Sequence, residues 1–236
     1  MRTIDISIRL LSEAVWKRIL EASAYRLVEK KEKFFETMAS LEALRRHAEY
    51  DTGSISTASA WILYSLSFYF RPQRMLEVGT FIGRSAIALA MGSDDAGTPA
   101  ELHTCDMSNA IELPRVSACQ VRQYPRTSST AMFTKILGER RPEKRFELLH
   151  VDGRLQEEDF PLLEQICSPD VVVALDDFEG TEKGVINLVN LRNRNVMDSH
   201  LLIYPCPEPV LRQFGFYDHS TTALLVPQSQ LRLTAQ

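Results

Sequence analysis

The sequence has little of what marks zinc-binding, thiol-redox or membrane proteins. Its cysteines form no CxxC pair, which excludes the common zinc-knuckle and redox motifs, and we expect reduced thiols in a cytoplasmic protein. The N-terminal stretch carries charges every few residues, and no apolar run approaches the length of a membrane span. The four cysteines are Cys105, Cys119, Cys167 and Cys206. These absences predict a soluble, cytoplasmic chain.

Positive charge is not in excess either. The net charge of -4 gives no general attraction to nucleic acid. The densest basic run, at 138–145, also contains two glutamates, which is typical of a solvated helix end and loop. We therefore expect neither nucleic acid nor a membrane among the partners of this protein.

The N-terminal third is helical in pattern. Apolar residues recur at helical spacing from about Leu11 to Tyr50, which predicts two or three amphipathic helices. Capping residues at 51–54 break this pattern, and a largely buried helix follows until Arg71 and Pro72 stop it. We expect residues 1–70 to form a helical cap segment that also offers a candidate homodimer interface. Residues 71–236 are expected to form a Rossmann-like domain.

From residue 71 onward, strand-like and helix-like segments alternate. Strands separated by helices of this length pair in parallel through right-handed crossovers. The pattern predicts an α/β fold with a doubly wound, mostly parallel, seven-stranded sheet that ends in an antiparallel hairpin at 214–227. The long polar stretch at 107–127 is expected to be either a functional lid or a poorly ordered loop near the carboxyl edge of the sheet. The predicted parallel strands lie at 75–80, 101–106, 146–153, 170–177 and 200–205.

The stretch RMLEVGTFIGRSAIALA, at 74–90, joins two apolar runs through two glycines four residues apart. A strand, a tight glycine turn and a helix bind phosphates, dinucleotides or S-adenosylmethionine in different enzyme classes. A phosphate loop needs Gly-Lys-Ser/Thr, whereas here Gly83 precedes Arg84 and Ser85. A dinucleotide loop needs a glycine where this chain has the bulky Phe81. The pattern therefore favours S-adenosylmethionine.

Polar residues around this loop suit the charges of S-adenosylmethionine. Glu77 lies two residues before the first glycine, where an acid favours a sulfonium and an ammonium and would repel a pyrophosphate. The helix N-terminus and the Ser85 hydroxyl can receive the methionine carboxylate. Asp106, at the end of the second strand, is placed to accept the ribose hydroxyls. Asp152, before Gly153 at the end of the third strand, is placed to accept from the adenine amino group.

From about Thr52 to Pro227 the chain resembles the class I S-adenosylmethionine-dependent methyltransferases. LEVGTFIGRSAIALA is similar to the loop of the catechol and caffeoyl-CoA O-methyltransferase branch, and Asp106, Asp152 and ALDDFEG follow in the matching order. The resemblance implies S-adenosylmethionine as the cofactor. It implies contacts from Glu77, Gly79, Thr80, Gly83 and Ser85 to the methionine end, Asp106 to the ribose, Asp152 beside the adenine and Asp176 near the cofactor amine. Phe81 and Gly153 are the remaining residues that we expect to bind the cofactor.

The chain departs from the metal-dependent members of that branch. Those members hold magnesium with a fourth-strand aspartate and an Asp-Asn pair after the fifth strand. Asp176 matches the first, but the fifth strand ends in IYPCP without a carboxylate, and Mg²⁺ needs several oxygen ligands, so we expect no metal. Glu179 replaces the lysine that resembles the general base of the branch. Asp177 and Glu179 remain the candidate catalytic residues for proton acceptance, and alternation along the strand leaves open whether Asp176 or Asp177 faces the ligand.

The primary prediction is a metal-independent methyltransferase for an oxygen or nitrogen of a small molecule, with a secondary metabolite as one such acceptor. A second hypothesis keeps the cofactor but cyclises it, releasing methylthioadenosine and forming azetidine-2-carboxylate. A third is a non-catalytic cofactor-binding module. The acceptor itself cannot be identified from the sequence, because no transferable motif occurs in the lid or the N-terminal helices.

Overall fold

The structure is a computed structural model that describes residues 2–49, 53–109, 111–139, 145–194 and 196–231. Two sequence predictions fall partly outside these residues. The basic run at 138–145 has residues 140–144 outside them, and the helix break at 51–54 has its first two residues outside them. Within the described residues, no helix is both long enough and apolar enough to cross a lipid bilayer.

The N-terminal segment is dominated by one helix, α1, which runs from Arg2 to Glu42. The prediction of two or three helices was wrong in this respect, because residues 2–42 contain no glycine or proline that would end the helix. A 3-10 turn follows at Ala43–His47. Helix α2, Thr57–Phe70, begins where the Ser56 side chain accepts from the Ser59 amide, and it is buried along most of its length, as predicted.

The remaining elements form a seven-stranded sheet with helices on both faces. The strand order is β3-β2-β1-β4-β5-β7-β6, parallel from β3 to β5 and antiparallel on both sides of β7. The order reverses between β1 and β4, which is where doubly wound sheets bind their ligands. The strands are β1 Arg74–Val78, β2 Ala100–Asp106, β3 Cys119–Pro125, β4 Phe146–Val151, β5 Cys167–Leu175, β6 His200–Ile203 and β7 Ala223–Pro227. The helices are α3 Arg84–Asp95, α4 Ser129–Gly138, α5 Asp159–Ile166, α6 Lys183–Asn193 and α7 Glu208–Gln213.

The sheet separates two apolar cores. Helices α1, α2, α3 and α7 pack on one face, and α4, α5 and α6 pack on the other. β1 is buried at all five of its residues, which is typical of a central parallel strand covered by helices on both faces. Met75 packs with the first core, whereas Leu76 and Val78 pack with the second. Glu77 therefore points to the face covered by α1, α2 and α3.

The predicted fold class is confirmed, with two local corrections. The stretch 107–127 is not a lid throughout, because Cys119–Pro125 forms the edge strand β3, in which the Tyr124 hydroxyl contacts His103. The stretch 214–227 is not a hairpin by itself. Its one strand, β7, pairs antiparallel with β5 and β6 and lies inside the sheet, which is one of the two places, inside the sheet or beside it, expected for an antiparallel strand of this segment.

Candidate functional site

The glycine loop lies at the switch point between β1 and β4. Gly79 has a φ of 105°, and a Cβ there would lie 3.1 Å from the backbone of Asp152, so only glycine fits between the two strand ends. Gly83 has a φ of 79° and precedes α3, and a Cβ there would collide with the Leu113 side chain. The loop is thus built as predicted, with its backbone close to the carboxyl end of β4 and to the segment before β3.

Glu77 lies beneath the loop and is fully buried. The strand register sets it beside Thr104 of β2 and His150 of β4. Glu77 Oε2 accepts from Thr104 Oγ1 at 2.5 Å, and Glu77 Oε1 lies 3.0 Å from His150 Nδ1. Thr80 Oγ1 continues this chain by bonding Thr104 Oγ1 at 2.5 Å. Glu77, Thr104 and His150 are called the buried cluster below.

The charges of the buried cluster support one another. Burial by itself lowers the pKa of His150, but the hydrogen bond and negative charge of Glu77 outweigh it and raise that pKa above its ordinary value. His150 Nε2 has no partner among the described residues. Glu77 therefore favours the imidazolium form of His150, and the two side chains form a buried, hydrogen-bonded acid–imidazole pair.

Asp106 ends β2, as predicted, and lies half-exposed beside the glycine loop. Its Oδ2 accepts from the Phe81 amide and its Oδ1 from the Ser108 amide, both at 2.8 Å. Phe81 adopts a φ of 42°, an unusual backbone conformation for a residue with a side chain. Each carboxylate oxygen has a further lone pair, so Asp106 can still accept two hydroxyl groups.

Asp152 ends β4 and is held from two sides. Its amide donates to the Val78 carbonyl at 2.8 Å, which fixes it against the end of β1. Asn187 of α6 donates to the Gly153 carbonyl at 2.8 Å and accepts from the Leu155 amide, which fixes the turn that follows. The carboxylate is the part of this turn that faces the neighbouring acids.

Asp176 and Asp177 differ in orientation and in exposure. Asp176 is buried, and its Oδ1 accepts from Thr221 and Thr222, just before β7, at 3.1 and 3.0 Å. Asp177 is 40% exposed and has a φ of 50°, an unusual backbone conformation for a residue with a side chain. The two adjacent acids thus have separate partners: Asp176 accepts from the threonines before β7, and Asp177 contacts Lys183.

Lys183, at the first position of α6, joins two of these acids. Its Nζ lies 2.8 Å from Asp152 Oδ1 and 3.0 Å from Asp177 Oδ2. One carboxylate oxygen from each of Asp152, Asp176 and Asp177 lies within 4.8 Å of the others. We call these three acids the acidic cluster. Because the sequence prediction missed β3, it placed Asp152 after a third strand and Asp176 after a fourth. The structure places Asp152 after the fourth strand, β4, and Asp176 and Asp177 after the fifth strand, β5, so the prediction that no carboxylate follows the fifth strand was wrong.

The acidic cluster holds more negative charge than one lysine neutralises. Burial raises the pKa of Asp152 to about 7, and the negative charge of Asp176 adds to this, against the opposing effect of Lys183. Burial lowers the pKa of Lys183, but Asp152 and Asp177 outweigh it and raise that pKa. Lys183 is therefore an ammonium at neutral pH. The Asp152 carboxyl group, with its pKa of about 7, titrates near neutrality.

The other predicted residues lie along the same edge. Thr80 and Ser85 are buried in and after the glycine loop, and Ser85 lies in the first turn of α3. Glu179 is exposed on the segment between β5 and α6. The structure thus brings the glycine loop, Asp106, Asp152 and Asp176 to one sheet edge, whereas Glu77 lies below it.

Sequence reasoning missed the residues that support the predicted ones. The register of parallel strands pairs His150 with Glu77, which no local pattern indicates. Lys183 was hidden in the helix-forming segment GTEKGVINLVNLR, seven residues after Asp176. The glycine that follows it, Gly184, is the one feature of the sequence that indicates a close approach of this helix to β5, because a Cβ there would lie 2.2 Å from the Asp176 carbonyl oxygen.

Solved structures of similar shape share little sequence with this chain. The O-methyltransferase TomG from Streptomyces achromogenes, involved in tomaymycin synthesis and solved with SAM, has a TM-score of 0.52 at 20% identity, covering 81% of this chain and 90% of that chain. An O-methyltransferase from Bacillus cereus in complex with SAH has a TM-score of 0.55 at 14% identity, covering 90% and 99%. Cofactor-bound Rv0187 from MTB has a TM-score of 0.53 at 16% identity, covering 81% and 89%.

Neither the protein-family models nor the curated protein sequences give a match to this chain. The likeness therefore lies in the backbone and in the strand order rather than in overall sequence. The structural neighbours span nearly all of their own length on this chain, so the match is to a whole domain and not to a shared βαβ unit. The chain has the class I fold of the S-adenosylmethionine-dependent O-methyltransferases.

Proposed function

We propose that this protein is an S-adenosylmethionine-dependent methyltransferase that acts on an oxygen or nitrogen of a small molecule. One observation carries the proposal: the glycine loop and three acids from separate strands, Asp106, Asp152 and Asp176, meet at the switch point of a class I methyltransferase fold. The donor chemistry of the site fits the cofactor, because the Asp106 and Asp176 carboxylates can accept from its hydroxyl and ammonium groups. The structural neighbours solved with SAM or SAH support this cofactor.

The proposed binding residues follow the strand order. The methionine end lies against the loop and the first turn of α3, where backbone amides favour its carboxylate. Asp106 accepts the ribose hydroxyls, and Asp152, Gly153 and Asp176 lie together on the opposite side of β1, where Asp176 faces the ammonium. Glu77 acts from below by fixing the loop through Thr104 and Thr80. The loop residues in this set are Gly79, Thr80, Phe81, Gly83 and Ser85.

When bound, S-adenosylmethionine supplies a methyl group on a sulfonium, which an acceptor oxygen or nitrogen can take up. The chain's own contribution is positioning, exclusion of water and acceptance of the acceptor's proton. Asp177 is the better-supported proton acceptor, because its carboxylate is partly exposed and is held by Lys183 beside the acidic cluster. Glu179 is the alternative on the same segment. A small-molecule acceptor is supported by the O-methyltransferase neighbours.

Binding and turnover test the proposal separately. Calorimetry with S-adenosylmethionine and with S-adenosylhomocysteine should give one site per chain, and absence of both would contradict the proposal. Mass spectrometry of reactions with candidate metabolites should then detect a methylated product. Methylthioadenosine from enzyme and cofactor alone would favour the cyclase hypothesis, and binding without any turnover would favour a non-catalytic module.

A matched pair of variants tests the proton acceptor. Asp177→Asn should lower kcat by about 10²- to 10⁴-fold with little change in cofactor affinity, because a neutral amide cannot take up the proton. Glu179→Gln, an exposed acid on the same segment, should leave kcat within about threefold. Equal losses in both variants, or a larger loss in the second, would move the role to Glu179.

We further propose that α1 provides a homodimer interface in a cytoplasmic protein. The helix exposes large apolar side chains at Leu10, Tyr25, Val28 and Phe35. Light scattering of the purified protein should give twice the chain mass, and Val28→Lys should return it to the monomer mass. The four cysteines are buried and free, which agrees with a reducing compartment. Microscopy of a fluorescent fusion tests the location.

A further inference from the structure

Lys183 lies where a bound cation would have to lie. Its ammonium contacts Asp152 and Asp177 at 2.8 and 3.0 Å, and a carboxylate oxygen of Asp176 is within 4.8 Å of the other two. Carboxylate oxygens converging in this way are the ligands that hard divalent cations prefer. The space between the Asp152 and Asp177 oxygens is taken by the ammonium of Lys183 itself.

The local sequence fixes the lysine in this place. Gly184 lets the first turn of α6 press against the backbone of Asp176 and Asp177, because a Cβ there would lie 2.2 Å from the Asp176 carbonyl oxygen. Asn187, one turn further along α6, ties the helix to the turn after Asp152. Helix α6 is therefore fixed both to the backbone of Asp177 and to the turn after Asp152. This places the Lys183 ammonium between the carboxylates of Asp152 and Asp177.

An ammonium and a divalent metal ion exclude each other here. Mg²⁺ binds oxygens at about 2.0 to 2.1 Å, whereas the ammonium holds its two oxygens at the longer distances of a hydrogen-bonded ion pair. A metal ion would meet strong repulsion from a positive charge only a few ångströms away. The residues of the acidic cluster therefore do not fit a metal ion as long as Lys183 is in place.

We propose that Lys183 is the resident counter-ion of the acidic cluster, holding Asp177 and Asp152 in place with an ammonium where a metal-dependent enzyme would use a metal ion. Lys183 is thus a positioning residue. The effect of Lys183 on turnover rests on the proposed function. Its exclusion of a metal ion from the acidic cluster does not depend on that function. Substitution by a neutral residue should open the cluster to divalent cations, and arginine should keep it closed.

Manganese binding tests the proposal without any reaction. Wild type, Lys183→Met, Lys183→Gln and Lys183→Arg are titrated with manganese(II) alone, with free ion followed by electron paramagnetic resonance. We expect both neutral variants to bind one ion at least about tenfold more tightly than wild type, because the repelling charge is gone. Lys183→Arg and the control Lys135→Gln, on the exposed face of α4, should behave as wild type.

The outcomes are decisive in both directions. Wild type that binds manganese as tightly as the neutral variants, or folded neutral variants that gain no affinity, would overturn the proposal. If neither neutral variant folds, NMR of wild type labelled at lysine Nζ decides: manganese that broadens and displaces the Lys183 signal overturns the proposal, and an unperturbed signal supports it.

Activity measurements separate this proposal from the proposed function. Wild type should turn over equally with and without a chelator, and the neutral variants should lose at least about tenfold in kcat while Lys183→Arg keeps most of it. Wild type that binds no S-adenosylmethionine, together with neutral variants that gain manganese, would overturn the proposed function alone. Methyl transfer by wild type that requires a metal ion would overturn the counter-ion proposal alone.

Discussion

The buried cluster and the acidic cluster lie on the same half of the sheet but balance their charges differently. In the buried cluster one acid meets one imidazole and one hydroxyl, and all three side chains are fully buried. In the acidic cluster three acids meet one ammonium, and the Asp177 side chain is 40% exposed. The first cluster is closed by its own partners, whereas the second retains negative charge that faces the solvent.

Under the proposed function, this difference separates a structural acid, Glu77, from the acids that face the cofactor. Glu77 belongs to the most recognisable motif of the sequence, yet its carboxylate is committed to Thr104 and His150 below the loop. Asp152 and Asp176, in less distinctive segments, keep the unbalanced charge that a cationic ligand can use. Motif strength and ligand contact are therefore different properties, and the predictions below test whether the two clusters act independently.

The largest effect is expected on breaking the buried cluster. Glu77→Gln leaves the His150 imidazolium without its counter-charge in a fully buried position. Losing one partner of a buried ion pair costs about 3 to 5 kcal/mol, so we expect a decrease of that size in the free energy of unfolding. Urea denaturation followed by circular dichroism measures it.

Two controls isolate the ion pair from general damage. Glu179→Gln removes an exposed acid from the same edge and should change the free energy of unfolding by less than about 0.5 kcal/mol. Glu77→Leu combined with His150→Leu replaces the pair by apolar groups and should regain most of the lost stability. A double variant no more stable than Glu77→Gln would contradict the ion-pair interpretation.

The buried cluster shows where sequence reasoning ends. The acid of the loop, the helix after it and the strand positions of Glu77 and His150 could all be predicted from local patterns. Their pairing could not, because 73 residues separate them and parallel register is set by packing of the whole sheet. The same holds for Lys183, whose contact with Asp152 depends on how closely α6 approaches β5.

A smaller effect is expected where the two clusters meet, at Gly79. Gly79→Ala forces a side chain into a φ of 105° and against the backbone of Asp152 at 3.1 Å. We expect a loss of about 1 to 2 kcal/mol in the free energy of unfolding. Cofactor affinity should fall by about tenfold or more, because Asp152 is displaced with the end of β4.

Gly97→Ala is the matched control for that substitution. Gly97 also has a positive φ, of 67°, but a Cβ there would meet nothing within 4 Å. It should lose stability through the backbone alone and keep its affinity for S-adenosylmethionine in calorimetry. Equal affinity in both variants would show that the loop and the acidic cluster are not coupled.

Element prediction failed where the local pattern was weak. β3 was missed because it lies at the edge of the sheet beside β2, and three of its seven residues, Gln120, Arg122 and Gln123, are polar or charged. The continuity of α1 was missed because charged residues interrupt its apolar stripe without ending the helix. In both cases the tertiary partner, and not the local sequence, decides the element.

The smallest effect is expected in the pH dependence of stability, which the acidic cluster should dominate through Asp152. The pKa of Asp152 is about 7 in the folded chain, against an ordinary value of 3.8, so folding takes up a proton between these limits. Stability should therefore fall as pH rises through that window and level off above it. Asp152→Asn removes this contribution. The free energy of unfolding of wild type, relative to the variant, should fall by on the order of 1 kcal/mol between about pH 6 and pH 7.

His150 also loses stabilising charge as pH rises through its raised pKa, and the charge of Asp152 contributes to that rise, so the difference between wild type and Asp152→Asn reports the coupled titration of the two side chains. Asp198→Asn, on an exposed turn, serves as the control and should keep the wild-type slope. If Asp152→Asn also keeps the wild-type slope, the acidic cluster carries no excess negative charge. The two clusters would then be equally well balanced, and the contrast between them would rest on exposure alone.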